Sequence, residues 1–356
     1  MIRRGLSLLA FGAVLVACGP ASATVAARPS ATYAAIPTQA DVRKLMGDSN
    51  WYAGPPSFDV PPLNSLSRPA TQKYAVSNDY IHLGTAEGIA SVYQVYDSPA
   101  SAITVMSGLQ TTYGTTITSP KIGDQVLYYE FRGSGAAPHV ARVYVRIGQV
   151  VVEVAWANKD SPATVDQLAK LGRAFVARLQ PANSKGKATP ASTPSPSPVT
   201  AKELPPPGLD VTLLGSAHLP IEAITVMIGS ALPDSIASLM HQSGVDSFAY
   251  GDYALNNDTH MEVQTALLTF GSPIDAVSWA KAFGPGTADS AGIYWQYIPE
   301  SGSPAAGEYH YVFASGSYGI YMICKSSFPG EAASRECEDP THRTAIAWQL
   351  ALQGIG

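Results

Sequence analysis

The chain has 356 residues, 46% of them hydrophobic and 14% charged, and a formal net charge of -5. Such apolar content excludes a disordered chain, and the lack of a long basic run after residue 4 excludes a nucleic-acid binder. The length exceeds one ordinary core and predicts two domains with tails.

Met1-Ile2-Arg3-Arg4 supplies a short positive segment, and Gly5 to Ala17 follows without a charge. Gly5 to Ala17 reads as the core of a signal peptide over residues 1–17 and is too short to span a bilayer. It ends in Leu15-Val16-Ala17-Cys18, which resembles the lipobox of bacterial lipoproteins. The resemblance implies cleavage before Cys18, lipid on its thiol, and a protein on the outer side of the cell membrane. Two or three acyl chains give stable anchoring, since each buried methylene contributes ~0.8 kcal/mol. Residues 18–35 are rich in Ala, Ser, Thr and Pro and read as a lipidated cysteine with a flexible tether.

In the first half, a domain expected over residues 36–180, Thr38 caps a short helix with Val42, Leu45 and Met46 on one face and Gly47 as its stop. Val92 to Tyr96 forms a strand, and Ser98-Pro99 starts a helix whose buried stripe is Ile103 and Met106. Alternation predicts strands over 126–131, 140–147 and 150–156, the last two joined by a turn at Gly148-Gln149. A closing helix starts at Ser161-Pro162 and carries Val165, Leu168, Leu171, Phe175 and Leu179.

Residues 181–208 contain Thr-Pro-Ala-Ser-Thr-Pro-Ser-Pro-Ser-Pro and Pro205-Pro206-Pro207, a semi-stiff linker that cannot bury a core. The second domain, 209–356, repeats the plan. Ile224, Met227 and Ile228, stopped by Gly229, match the first short helix. A strand over 266–270 runs into a helix capped at Ser272-Pro273, with Val277 and Ala280 as its stripe. Strands follow over 294–298, 309–314 and 318–324, then a helix from about Thr341 carrying Ile346, Trp348 and Leu350. Hairpins interleaved with helices define an α+β class: two tandem related domains, each an antiparallel sheet with helices on one face.

With Cys18 lipidated, Cys324 and Cys337 remain, and in an exported protein they most simply form a disulfide worth roughly 3 kcal/mol. Two buried free thiols are the alternative. The seven histidines show no ligand spacing, and His342 near Glu338 and Asp339 reads as a solvated helix start. Gly133-Ser134-Gly135 and Gly316-Ser317-Tyr318-Gly319 read as hairpin turns rather than nucleophile elbows. No catalytic, cofactor or metal residue is expected. Tyrosines recur on the strands, among them Tyr128, Tyr144, Tyr309, Tyr311, Tyr318 and Tyr321. They suit cross-strand packing, and on an open face they suit a ligand or partner.

The run Tyr250-Gly251-Asp252-Tyr253, then Val263 to Phe270 and Ser272-Pro273, resembles the extracellular sensor domain of mycobacterial serine/threonine kinases and related sensor-domain lipoproteins. That resemblance implies a ligand-binding cleft and paired disulfides. The first half has no cysteine and the second has one pair, so no family residue transfers. The expected function is a membrane-anchored, non-enzymatic protein that binds an unknown small ligand or an envelope protein. A structural envelope role and a wall or lipid hydrolase are the alternatives.

Overall fold

The computed structural model describes residues 32–59, 71–85, 87–113, 117–131, 139–158, 161–179, 204, 211–228, 234–255, 258–284, 286–300, 303–326 and 337–353. Cys18, the lipobox, Gly133-Ser134-Gly135, Gly229 and nearly all of the 181–208 linker lie outside them.

The first sheet contains β1 (Trp51–Asp59), β2 (Gln72–His82), β3 (Gly88–Tyr96), β4 (Gln125–Phe131), β5 (His139–Ile147) and β6 (Val150–Asn158). The second contains β7 (Val211–Pro220), β8 (Ser247–Leu255), β9 (Asp258–Thr269), β10 (Tyr294–Glu300), β11 (Ser303–Ser315) and β12 (Tyr318–Ser326). The spatial orders are β1-β2-β3-β6-β5-β4 and β7-β8-β9-β12-β11-β10, and every pairing is antiparallel. Both halves thus follow one topology, and the class is α+β.

Seven helices complete the described chain: α1 (Gln39–Met46), α2 (Pro99–Tyr113), α3 (Val165–Val176), α4 (Ala223–Met227), α5 (Asp234–Gln242), α6 (Pro273–Phe283) and α7 (Glu338–Gln353). Their starts follow cap chemistry. The Asp41 amide donates to Thr38 Oγ1 while the Thr38 amide donates to Asp41 Oδ2, a reciprocal capping box. Gly47 ends α1 at φ 74°, the left-handed conformation that glycine adopts without a Cβ penalty. Ser98 and Ser272 each accept the amide three residues on, with proline at the next position. α3 begins later than Ser161-Pro162: Thr164 is its cap, in a second reciprocal box with Gln167.

The helices do not share one face of each sheet, as the sequence pattern led one to expect. On the first sheet, Leu168, Leu171 and Phe175 of α3 pack with Val143, Val145 and Val152. Ala102 and Met106 of α2 pack with Leu127, Tyr144 and Val151, whose side chains point the opposite way. On the second sheet, Ala345, Trp348 and Leu352 of α7 cover Tyr311, Phe313 and Met322. Ala276 and Trp279 of α6, with α4 and α5, cover Tyr250, Leu268 and Tyr321 on the other side. Strands buried on both faces lose the polar alternation that would report which side is open.

Three helical stripes hold only in part: Met106, Ala280 and Trp348 are buried as expected, but the rest of each stripe is displaced. Ile103, Val277, Ile346 and Leu350 are exposed, and the buried positions are their neighbours Ala102, Ala276, Ala345 and Leu352. The short-helix repeat also fails as an equivalence, because α1 precedes β1 whereas α4 follows β7. Residues 32–35, read as the end of the tether, are already packed: Thr32 and Ala35 are buried, and Thr32 shares a hydrogen bond with the Tyr74 hydroxyl at 2.9 Å. Leu204 in the linker is buried as well. Cys324 on β12 and Cys337 before α7 are joined as a disulfide with Cα atoms 5.9 Å apart, tying the last helix to the sheet.

The two halves share one hydrophobic cluster, which runs from Val42, Val76 and Phe175 through Phe58 to Ala217, Ile224 and Tyr250. The bridge is β1, an edge strand whose Pro55-Pro56 pair causes a register shift against β2. Proline belongs at such an edge, since it donates nothing to a ladder. The outer side of β1 lies against α4, β7 and β8. Glycines permit the approach: a Cβ on Gly215 would stand 2.4 Å from the Phe58 ring, and one on Gly54 would stand 2.7 Å from Val226. We therefore expect Gly215→Ala to destabilise the protein by about 1–3 kcal/mol through overpacking. Denaturant unfolding checks this, and an unchanged midpoint would contradict tight docking of the halves.

Candidate functional site

Two places in the described structure combine polar groups with enclosure, a buried cluster and a cleft. The first is the seam between the halves, where successive residues of β1 meet carboxylates of the second sheet. The Phe58 amide donates to Asp252 Oδ2 at 2.6 Å, and Ser57 Oγ donates to Glu262 Oε1. The Tyr250 hydroxyl donates to the Pro56 carbonyl at 2.8 Å. Gln264 Nε2 donates to Glu262 Oε1 at 3.0 Å, and Lys325 Nζ stands 3.6 Å from Glu262 Oε2.

These residues share a face because of strand periodicity. Asp252 pairs with Gln264 across β8 and β9, and Glu262 pairs with Lys325 across β9 and β12. Asp252 is 0% exposed, whereas the side chains of Glu262 and Lys325 are 18% and 35% exposed. Burial, followed by the nearby Glu262 charge, pushes the Asp252 carboxyl well above the usual carboxylate range. Burial acts the same way on Glu262. There Lys325 and hydrogen bonds from Asp252, Ser57 and Gln264 outweigh it and hold that carboxyl low. Lys325 keeps its proton despite burial, because Glu262, Glu308, Asp252 and Asp79 surround it. Asp252 is thus the member of the pair whose surroundings favour the protonated form. Its Oδ1 is buried and accepts no donor.

A second polar chain continues along the same face. His310 Nδ1 shares a 2.5 Å hydrogen bond with the Tyr321 hydroxyl, and His310 Nε2 lies 3.3 Å from Glu308. Tyr321 is 1% exposed and sits edge-on beneath Phe283, so this chain is internal packing rather than an acid–base site open to substrate.

The second place is a half-open cleft of about 510 Å3 at the strand ends of the second sheet. Its floor is a row across three strands, His218, Ala249 and Leu267, which lie opposite one another in the ladders. Leu204 and Leu352 wall it, and Asp246, Ser247, Thr269 and Tyr318 give it a polar rim. The lining is apolar beneath and hydrogen-bonding above, which suits a small amphipathic molecule.

Of the residues singled out from sequence, Tyr318 reaches the cleft, while Tyr128, Tyr144, Tyr309, Tyr311 and Tyr321 are core. His342 is not merely solvated: its Nε2 lies 2.7 Å from Asp289 Oδ2, and its ring stacks on Tyr311. No group of three or more metal-binding side chains occurs among the described residues. The seam residues escaped sequence reading. The available signal was Asp252 itself, one acid in a strand where every other residue after Ser247 is apolar, tyrosine or glycine.

Removing the acceptor with Asp252→Ala strands the buried Phe58 amide and should cost about 1–3 kcal/mol of stability. Asp252→Asn retains an acceptor for Phe58 and a donor for Glu262, and should fall within about 0.5 kcal/mol of the parent or above it. Melting curves of both variants check the pair. Equal losses would show that the carboxamide cannot replace a protonated acid there.

No protein-family model and no curated protein matches the chain. Among solved structures, the crystal structure of the extracellular domain of PknH from Mycobacterium tuberculosis is similar at 14% sequence identity and a TM-score of 0.30. The match covers 41% of this chain and 93% of that one. At that TM-score nothing is transferred from it to this chain.

Proposed function

We propose that this is an extracytoplasmic lipoprotein, anchored through Cys18, whose second half binds a small amphipathic ligand without chemical turnover. The cleft of about 510 Å3 beside α7 carries the reading. It has the size and mixed lining of a small-molecule site, and it is built on sheet strands that hold its floor rigid. The Met1–Cys18 segment supports the location, with positive charge, an apolar core and a small residue before the cysteine. A Cys324–Cys337 bridge accords with an oxidising exterior. The common strand order supports an origin of the two halves as tandem copies, of which the second keeps the cleft.

Native mass spectrometry of the full chain, purified from its own host, tests the binding. The expected result is an extra mass that leaves on denaturation and is absent from Thr269→Trp, where an indole on the exposed rim fills the cleft. A clean unliganded mass for the parent would overturn the binding reading and favour a structural envelope protein. Anchoring is checked separately. Cys18→Ala should move the protein from the membrane fraction to the soluble one, and retention in the membrane would contradict attachment through that thiol.

A further inference from the structure

We infer that the seam between the halves is a proton-dependent clasp: while Asp252 and Glu262 share a proton, β1 stays docked on the second sheet, and losing that proton releases it. The geometry that carries this is the reading of adjacent β1 residues by adjacent carboxyls. Ser57 is held by Glu262, and Phe58, through its amide, is held by Asp252. The strand has no ladder neighbour on that side, so these two carboxyls and the Tyr250 hydroxyl hold its 56–58 stretch, while α1 serves its start through Gln39 on the Ala53 amide and Arg43 on the Trp51 carbonyl.

Facing the pair are Asp79 from β2, Glu308 from β11, Lys325 from β12 and the Tyr250 hydroxyl from β8, while Tyr253 lies on the opposite face of the sheet against Trp348. Tyr33 stacks edge-on against Phe58, and Asp59 closes the β1 strand. Four carboxyl groups thus converge on one ammonium. With Asp252 neutral, Lys325 offsets Glu262. With Asp252 ionised, a fully buried carboxylate confronts the partly buried one of Glu262.

The sign follows from the direction of the shift. The docked state raises the Asp252 pKa, so the contact is strongest below the ordinary aspartate range and weakens as pH climbs toward the raised value. Glu262 acts oppositely, since its lowered pKa makes the seam weaken again in strong acid. The clasp is therefore firm in mild acid and loosens toward alkaline pH.

Hydrogen exchange of the full chain in detergent, corrected for intrinsic rates, reads the release directly in the β1 segment 54–59. Between about pH 5 and about pH 9, protection there should fall at least tenfold in the parent. In Asp252→Asn, which cannot ionise, protection should stay within about threefold over the same range. A parent whose protection is unchanged across this range would overturn the clasp. So would an Asp252→Asn protein that loses protection as the parent does. Glu262→Gln gives an independent check, because with one carboxylate gone the loss should be smaller than in the parent. A loss equal to the parent's would overturn the clasp equally.

Discussion

An edge strand that cannot accept a ladder neighbour organises this molecule. Pro55 and Pro56 interrupt the outer side of β1, which leaves the Phe58 amide and the Pro56 carbonyl facing outward with no strand to meet them. Buried backbone groups need partners, and exposed edges invite aggregation. Both demands are met by the second half, through Asp252, Tyr250 and Glu262. Gly54 and Gly215 then set how closely the two surfaces approach, and Phe58 becomes core to both halves.

That docking changes what the halves can do. Each sheet is clad on both faces, so neither offers the broad open surface that an antiparallel α+β domain often presents to a ligand. Among the described residues, open places include the strand ends beside α7 and the partly exposed flank of the seam near Lys325. The tyrosines, conspicuous along the strands, chiefly bind layers together. Tyr93 donates to the Phe175 carbonyl across the first core, and Tyr311 donates to the Glu338 carbonyl at the start of α7.

The strands flanked by turn signals were legible in the sequence. β3 to β6 and β9 to β12 follow its alternation, and the Ser-Pro caps of α2 and α6 lie where the residues indicate. β1, β2, β7 and β8 are not legible in the sequence, since Gly54-Pro55-Pro56 reads as a break and the β7 and β8 runs lack clean alternation. The helix stripes slipped by a residue or two because small residues such as Ala102, Ala276 and Ala345 do the packing, while larger neighbours face solvent. The seam was illegible for another reason. Asp252 and Ser57 lie almost two hundred residues apart, and no local pattern joins them.

The most direct test of the account is whether the halves unfold together. Fluorine-labelled tryptophan separates the reporters, with Trp51 in the first half and Trp348 in the second, both buried. The account predicts that the two resonances report coincident denaturant transitions, as one cooperative unit sharing a core must show. Two separated transitions, with one half persisting after the other has unfolded, would contradict it.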